Sequence, residues 1–259
     1  MTEPEIHTTF LKGKKINLYN NNNPVTNTFK LGKFWDEENY DIFKKYRRIN
    51  TNFIDAGAYV GTQSMIMYDI LKSNNEDTLI YAFEPVNHRL TELNIVENNL
   101  ENTVKLFKVG LGSINCTINV LNNTGAKEGY PGQSLVHLNG TTQFTEHKLE
   151  DFENKNGDTE IRTLDSYNLT NIGFIKIDCE GMELNILEGS KETIINNNLP
   201  PLFVEIWQND GWREENEYYK FHYKNKILAF LNKFGYKEKQ LNHHDWIFLN
   251  EEDYNKMNN

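Results

Sequence analysis

Asp55, Glu84 and Asp178 each end a short apolar run, and glycine or proline follows within three residues. In an open parallel sheet the ligand lies outside the carboxyl ends of the strands, so carboxylates placed there are candidates to hold it. The first stretch is Asp55-Ala56-Gly57-Ala58-Tyr59-Val60-Gly61. Gly57 and Gly61 let the backbone turn and approach a ligand, the helix that follows offers N–H donors, and Asp55 offers a seat for an ammonium group. A dinucleotide fingerprint needs a middle glycine where this chain has Tyr59, which disfavours NAD and FAD. Phe83-Glu84-Pro85 places a carboxylate where both hydroxyls of a ribose can be accepted, and together the two stretches point to an adenosyl ligand.

The third stretch, Asp178-Cys179-Glu180-Gly181-Met182-Glu183, puts three carboxylates at one strand-to-helix junction. Glu183 reads as a capping acid, and Asp178 as the group facing the ligand. Glu205 either pairs with Lys176 or Arg213 or joins a metal site. His243-His244-Asp245 is either a base with its orienter or a polar hairpin turn. On a strand, only one of the two histidines would face the site. Tyr130, His137 and His147 are candidate contacts in a lid over the acceptor.

The elements that must position these groups follow from apolar periodicity. Residues 1–33 read as a short strand pair or a loosely packed extension, and 34–48 as a cap helix over the core. Strands are expected at 52–55, 79–83, 104–109, 173–178 and 202–207. Helices are expected near 62–73, 87–100, 182–196 and 218–234, with Leu90, Leu93 and Val96 to Leu100 inward in the second. A terminal hairpin at 236–241 and 246–249 follows. Strands alternating with helices imply a doubly wound α/β fold with a mostly parallel sheet, and the hairpin adds an antiparallel strand. The expected organisation is an N-terminal extension and cap helix over 1–50, then one domain over 51–259 with an insertion at about 112–160.

Composition narrows the function. With 38% hydrophobic residues in 259, a real core is expected, which excludes a wholly disordered chain. The net charge of −10 disfavours nucleic acid and anionic membranes as partners. No apolar run reaches the 18 to 20 or so residues needed to span a bilayer. Two cysteines outside any Cys-x-x-Cys pattern argue against a zinc module, and the start lacks a secretory pattern, so a reducing, cytoplasmic setting is expected. Oligomeric state leaves no readable mark.

From Asn52 to Trp207 the ordered motifs resemble the FkbM family of S-adenosylmethionine-dependent methyltransferases. The resemblance rests on Phe53-Ile54-Asp55-Ala56-Gly57-Ala58-Tyr59-Val60-Gly61, Ala82-Phe83-Glu84-Pro85, Thr163-Leu164-Asp165-Ser166, Ile175 to Glu183, Leu187-Glu188-Gly189-Ser190 and Phe203-Val204-Glu205. It implies a class I methyltransferase fold and methyl transfer to a hydroxyl oxygen, often on a sugar or another small acceptor. By position it implies cofactor contacts from Asp55, Gly57, Ala58, Tyr59, Gly61, Glu84 and Pro85. Gly110 and Leu111 would lie by the adenine, and Asp178 beside the reacting methyl. The proton acceptor would be Asp178, Glu180 or His244, with a divalent cation the less favoured alternative. A non-catalytic binding module and an NAD-dependent oxidoreductase are the competing readings.

Overall fold

A computed structural model describes residues 5–20, 24–118, 159–206 and 224–258. Most of the expected insertion, with Tyr130, His137 and His147, lies outside these residues, as do Trp207, Arg213 and the start of the helix expected at 218–234. The chain opens with a hairpin, β1 (Ile6–Leu11) and β2 (Lys14–Tyr19), followed by α1 (Pro24–Lys30) and α2 (Asn39–Tyr46). Then come β3 (Asn52–Ala56), α3 (Thr62–Ser73), β4 (Ile80–Phe83), α4 (His88–Glu97) and β5 (Val104–Phe107). Three short strands, β6 (Gly110–Leu111), β7 (Cys116–Ile118) and β8 (Thr159–Arg162), precede β9 (Ile172–Ile177). The remainder is α5 (Glu183–Glu188), α6 (Lys191–Asn196), β10 (Leu202–Glu205), α7 (Lys224–Asn232), β11 (Lys237–Gln240), β12 (Asp245–Leu249) and α8 (Glu251–Asn258).

Seven strands form the main sheet in the order β5-β4-β3-β9-β10-β12-β11. The five from β5 to β10 run parallel, and β12 is antiparallel to both its neighbours. Strand order reverses between β3 and β9, and a crevice opens at that point beyond the carboxyl ends. Side chains alternate across the sheet, as the period of two requires. Ile54, Ile175 and Ile177 pack on one face with α5, α7 and the small β6-β8-β7 sheet. Phe53 and Phe174 pack on the other with α2, α3 and α4.

Of the two readings of residues 1–33, the strand pair is the one present, and it is packed: Ile16 and Leu18 are fully buried, and Asn94 of α4 accepts hydrogen bonds from the backbone and side-chain amides of Asn17 at 2.7 and 3.0 Å. Three expectations need correction. Val96 points to solvent, because α4 buries Leu90, Thr91, Asn94 and Ile95 instead. The helix expected at 182–196 is two helices. Asp165, far away in sequence, accepts hydrogen bonds from the backbone N–H groups of Glu192 and Thr193 and so caps a separate α6. The strand expected at 104–109 stops at Phe107, and Gly110 and Leu111 form a separate β6, in the small sheet parallel to β8.

Candidate active site

The loop after β3 is held from three sides. The amides of Gly57 and Ala58 both donate to the carbonyl of Phe83, at 3.0 and 3.1 Å. The amide of Tyr59 donates to Glu84 Oε2 at 2.9 Å, and Asn94 Nδ2 donates to the carbonyl of Val60 at 2.8 Å. Gly57 has φ +79°, and a Cβ there would lie 2.0 Å from the backbone oxygen of Asp178. Glycine is therefore needed where the β3 and β9 loops touch. Gly61, with φ +88°, gives room to Thr91.

Glu84 is buried and accepts from the amides of Val86 and Asn87 on Oε1, at 2.8 and 2.7 Å, as well as from Tyr59. Burial pushes its carboxyl above the usual range, and those three amides pull against the rise. Asp55 is fully buried and does hold a cation, but the chain's own: Lys176 Nζ lies 3.2 Å from Oδ1, while Ser64 donates to Oδ2 at 2.6 Å. Lys176 also donates to the carbonyls of Ala56 and Gly57, at 3.2 and 2.7 Å, and stands 3.7 Å from Asp178. Burial alone would lower its pKa; the carboxylates of Asp55 and Asp178 outweigh that and hold the ammonium charged.

Beyond these strand ends lies a cavity of about 570 Å³, within the usual size of small-molecule sites. Gly57, Ala58, Tyr59, Glu84 and Pro85 line it, as do Gly110 and Leu111. Asp178, Glu180 and His244 line it too, whereas Asp55 and Gly61 stand behind its wall. Both His243 and His244 reach it, because they sit in the turn before β12 and not on a strand. Glu183, the first residue of α5, does not cap the helix as expected but ties down the loop before it, accepting from the amides of Cys179 and Gly181, each at 3.0 Å. Glu205 faces Asp178 and is hydrogen-bonded to it; burial first, then the neighbouring acids, raises its carboxyl well above the normal range.

The sequence motifs miss one side of this cavity. Trp35, Asp36 and Glu38 enter from the segment before α2, Asn39 from its first residue and Asn242 from the β11–β12 turn, beside Asp245 at the start of β12, which the sequence did single out with the two histidines. Burial and the charges of Asp178, Asp245 and Glu38 raise Asp36 to about 7. Burial, with Asp178 and Glu38, raises Asp245 to about 6. Among the described residues, no group of three or more His, Cys, Asp or Glu side chains is placed to hold a metal ion. No helix of the described residues is long and apolar enough to cross a membrane.

The methyltransferase FkbM domain matches residues 55–238, which includes every strand end described above. The chain belongs to the FkbM methyltransferase family. Its parallel sheet with one antiparallel strand near the edge is the class I fold of S-adenosylmethionine-dependent methyltransferases. Among solved structures it is similar to the methyltransferase FkbM of Methylobacillus flagellatus KT, at 15% identity and a TM-score of 0.49. That likeness covers 77% of this chain and 43% of the other, so the chain spans less than half the length of that relative. A SAM-dependent methyltransferase of Aquifex aeolicus is similar at 11% identity and a TM-score of 0.43, covering 82% of this chain and 87% of the other. No curated protein matches the chain.

Proposed function

We propose that this FkbM family member is a cytoplasmic O-methyltransferase that binds S-adenosylmethionine in the crevice between Gly57 and Glu84 and methylates a hydroxyl of a small polar acceptor such as a sugar. The observation that carries this reading is the cavity itself, which opens at the switch point of the sheet with Gly57 to Tyr59, Glu84 and Asp178 on one wall. The residues suit the cofactor. Oε2 of Glu84 accepts a single N–H and so keeps acceptor capacity for a ribose hydroxyl. Gly110 and Leu111 offer a small, largely apolar wall for the adenine. Bound there, the cofactor would supply a methyl group for transfer to oxygen.

The protein's share of the work is alignment, exclusion of water and handling of one proton. Asp178, held by its hydrogen bond with Glu205 and by the ammonium of Lys176, suits holding the acceptor hydroxyl in line. Glu180 and His244, on the same cavity, are the groups proposed to receive the proton.

Thermal unfolding tests the cofactor first. S-adenosylhomocysteine at about 100 times its Kd should add roughly 2.7 kcal/mol of stability, while NAD adds none. Methyl transfer to a panel of sugars then separates an enzyme from a binding module, with Asp178→Ala as the control. Stabilisation by NAD alone would overturn the reading.

A further inference from the structure

The hairpin of β1 and β2 has two outer edges, and the chain treats them differently. Glu5 accepts from the amide of its register partner Asn20 at 2.7 Å, so Glu5 and the alternate residues His7, Thr9 and Leu11 turn their N–H and C=O groups toward β2. Ile6, Thr8 and Phe10 therefore turn theirs outward. Their partners Tyr19, Asn17 and Lys15 turn outward on the opposite edge.

That opposite edge is closed by side chains. Asn94 of α4 accepts from the amide of Asn17 at 2.7 Å and donates to its carbonyl at 3.0 Å. Asn98, one turn further along, does the same for Lys15 at 2.9 and 2.7 Å, and Thr26 donates to the carbonyl of Tyr19 at 3.0 Å. A side-chain amide carries both a donor and an acceptor, so two asparagines one turn apart stand in for a third strand. On the β1 edge, by contrast, no described residue meets the outward backbone groups of Ile6, Thr8 and Phe10. The strand also lacks the devices that keep exposed edges apart: Ile6 to Leu11 holds no proline, lysine, arginine or carboxylate, and it pairs with β2 without a bulge. Ile6 and Phe10 stand on one face of it, 48% and 74% exposed.

We propose that this edge pairs with the same edge of a second copy of the chain, antiparallel about a two-fold axis at Thr8. In that register Thr8 faces Thr8 of the second copy and Ile6 faces its Phe10, and each facing pair consists of residues whose backbone groups point outward. The exposed isoleucine then packs on the exposed phenylalanine, a β-branched and aromatic pair of the kind that stabilises sheets. Antiparallel pairing also sets the Glu5 end of each strand beside the Lys12 end of the other, opposite charges together, with Lys12 also meeting Glu37 of its own chain. A parallel pairing would set like charges together. No residue of β1 lines the cavity, so the contact stands independently of the methyltransferase reading.

One strand pair is a smaller interface than the roughly 1,200 Å² of a stable complex, so a weak dimer is expected, with a Kd of about 1–100 μM. Sedimentation velocity of the full chain from about 1 to about 300 μM should show monomer passing into dimer. Thr8→Pro removes the outward N–H at the axis and none that β2 uses, and Phe10→Lys puts a charge on the exposed face. Each should raise the Kd at least about tenfold and keep the melting temperature within about 3 °C of wild type. Phe10→Lys, a surface change, decides the matter if Thr8→Pro unfolds the hairpin. Ile49→Lys, which alters a residue 71% exposed outside the hairpin, should leave the Kd within about twofold. A chain that stays monomeric at about 300 μM overturns the proposal and leaves the edge to an extended segment of another protein. So does a dimer that Phe10→Lys leaves unchanged, or one that Ile49→Lys weakens as much.

Discussion

Lys176 and Asp55 are register partners on β9 and β3, buried to 1% and 0% exposure, and they show how a charge inside the sheet shapes the site. Breaking a buried pair leaves an uncompensated charge, so Lys176→Met should cost about 3–5 kcal/mol in urea unfolding. The double variant Lys176→Met with Asp55→Leu should cost less than the sum of the two single changes; strict additivity would show that the pair is not coupled. Asp36 gives a second prediction at this scale. Its folded pKa, about 7, exceeds the unfolded carboxylate value, so between about pH 4 and about pH 7 the folded chain keeps a proton that the unfolded chain has released. Stability therefore falls as pH rises through that window. Asp36→Asn should flatten the slope and leave the protein roughly 1–3 kcal/mol more stable than wild type at pH 8, with Asp178, Asp245, Glu38 and Lys176 still in place. A thermal melt across pH reads both effects. The carboxylates at three strand ends were legible in the sequence because their neighbours are glycine, proline and apolar runs. The partner of Asp55 was not, since Lys176 sits inside an apolar strand whose pairing only the fold reveals. Asp36 belongs to no motif, and its chemistry is set by burial first and then by neighbouring acids, of which Asp178 and Asp245 are far away in sequence.

At the scale of elements, the site depends on two loops meeting without side-chain bulk between them. Gly57→Ala places a Cβ 2.0 Å from the Asp178 carbonyl oxygen at a positive φ, so either the β3 or the β9 loop must move. The expected loss exceeds about 3 kcal/mol, or the soluble protein is not recovered. Gly61→Ala meets Thr91 Cγ2 at 3.3 Å, a contact that yields more easily, and should cost about 1–2 kcal/mol. Chemical denaturation of the two variants checks the order, and the reverse order would remove the role assigned to Gly57. Most strands and helices were readable, the helices because each has one buried face and the central strands because, buried on both faces, they are short and almost wholly apolar runs. The division between α5 and α6 was not, because the group that caps α6 is Asp165, which belongs to another element. The small sheet holding Gly110 and Leu111 was hidden for a similar reason: two-residue strands carry no period, and their partner β8 lies beyond the insertion.

At the scale of the molecule, stability and function occupy opposite ends of the sheet. The cavity lies beyond the carboxyl ends of β3, β4 and β9, whereas Arg48 lies just before β3, at the amino end. Its guanidinium donates to Asp253 Oδ2 of α8 at 2.8 and 3.1 Å and to the carbonyls of Asn197, Asn198 and Leu199 at 2.7 to 2.9 Å. One side chain thus ties the N-terminal segment, the α6–β10 connection and the terminal helix together, and Asn250 reinforces it by donating to Asn198 and Leu199 at 3.2 Å. Several charge-assisted bonds to one half-buried group make Arg48→Met cost about 2–4 kcal/mol. Truncation after Asn250 removes Asp253 and should cost a similar amount, and the two changes together should cost less than their sum because they break the same cluster. Affinity for S-adenosylhomocysteine, measured by calorimetry well below the melting temperature, should stay within about threefold in both variants, since no cavity residue touches the cluster. A tenfold loss of affinity in Arg48→Met, with the fold intact, would mean that the two ends of the sheet are coupled.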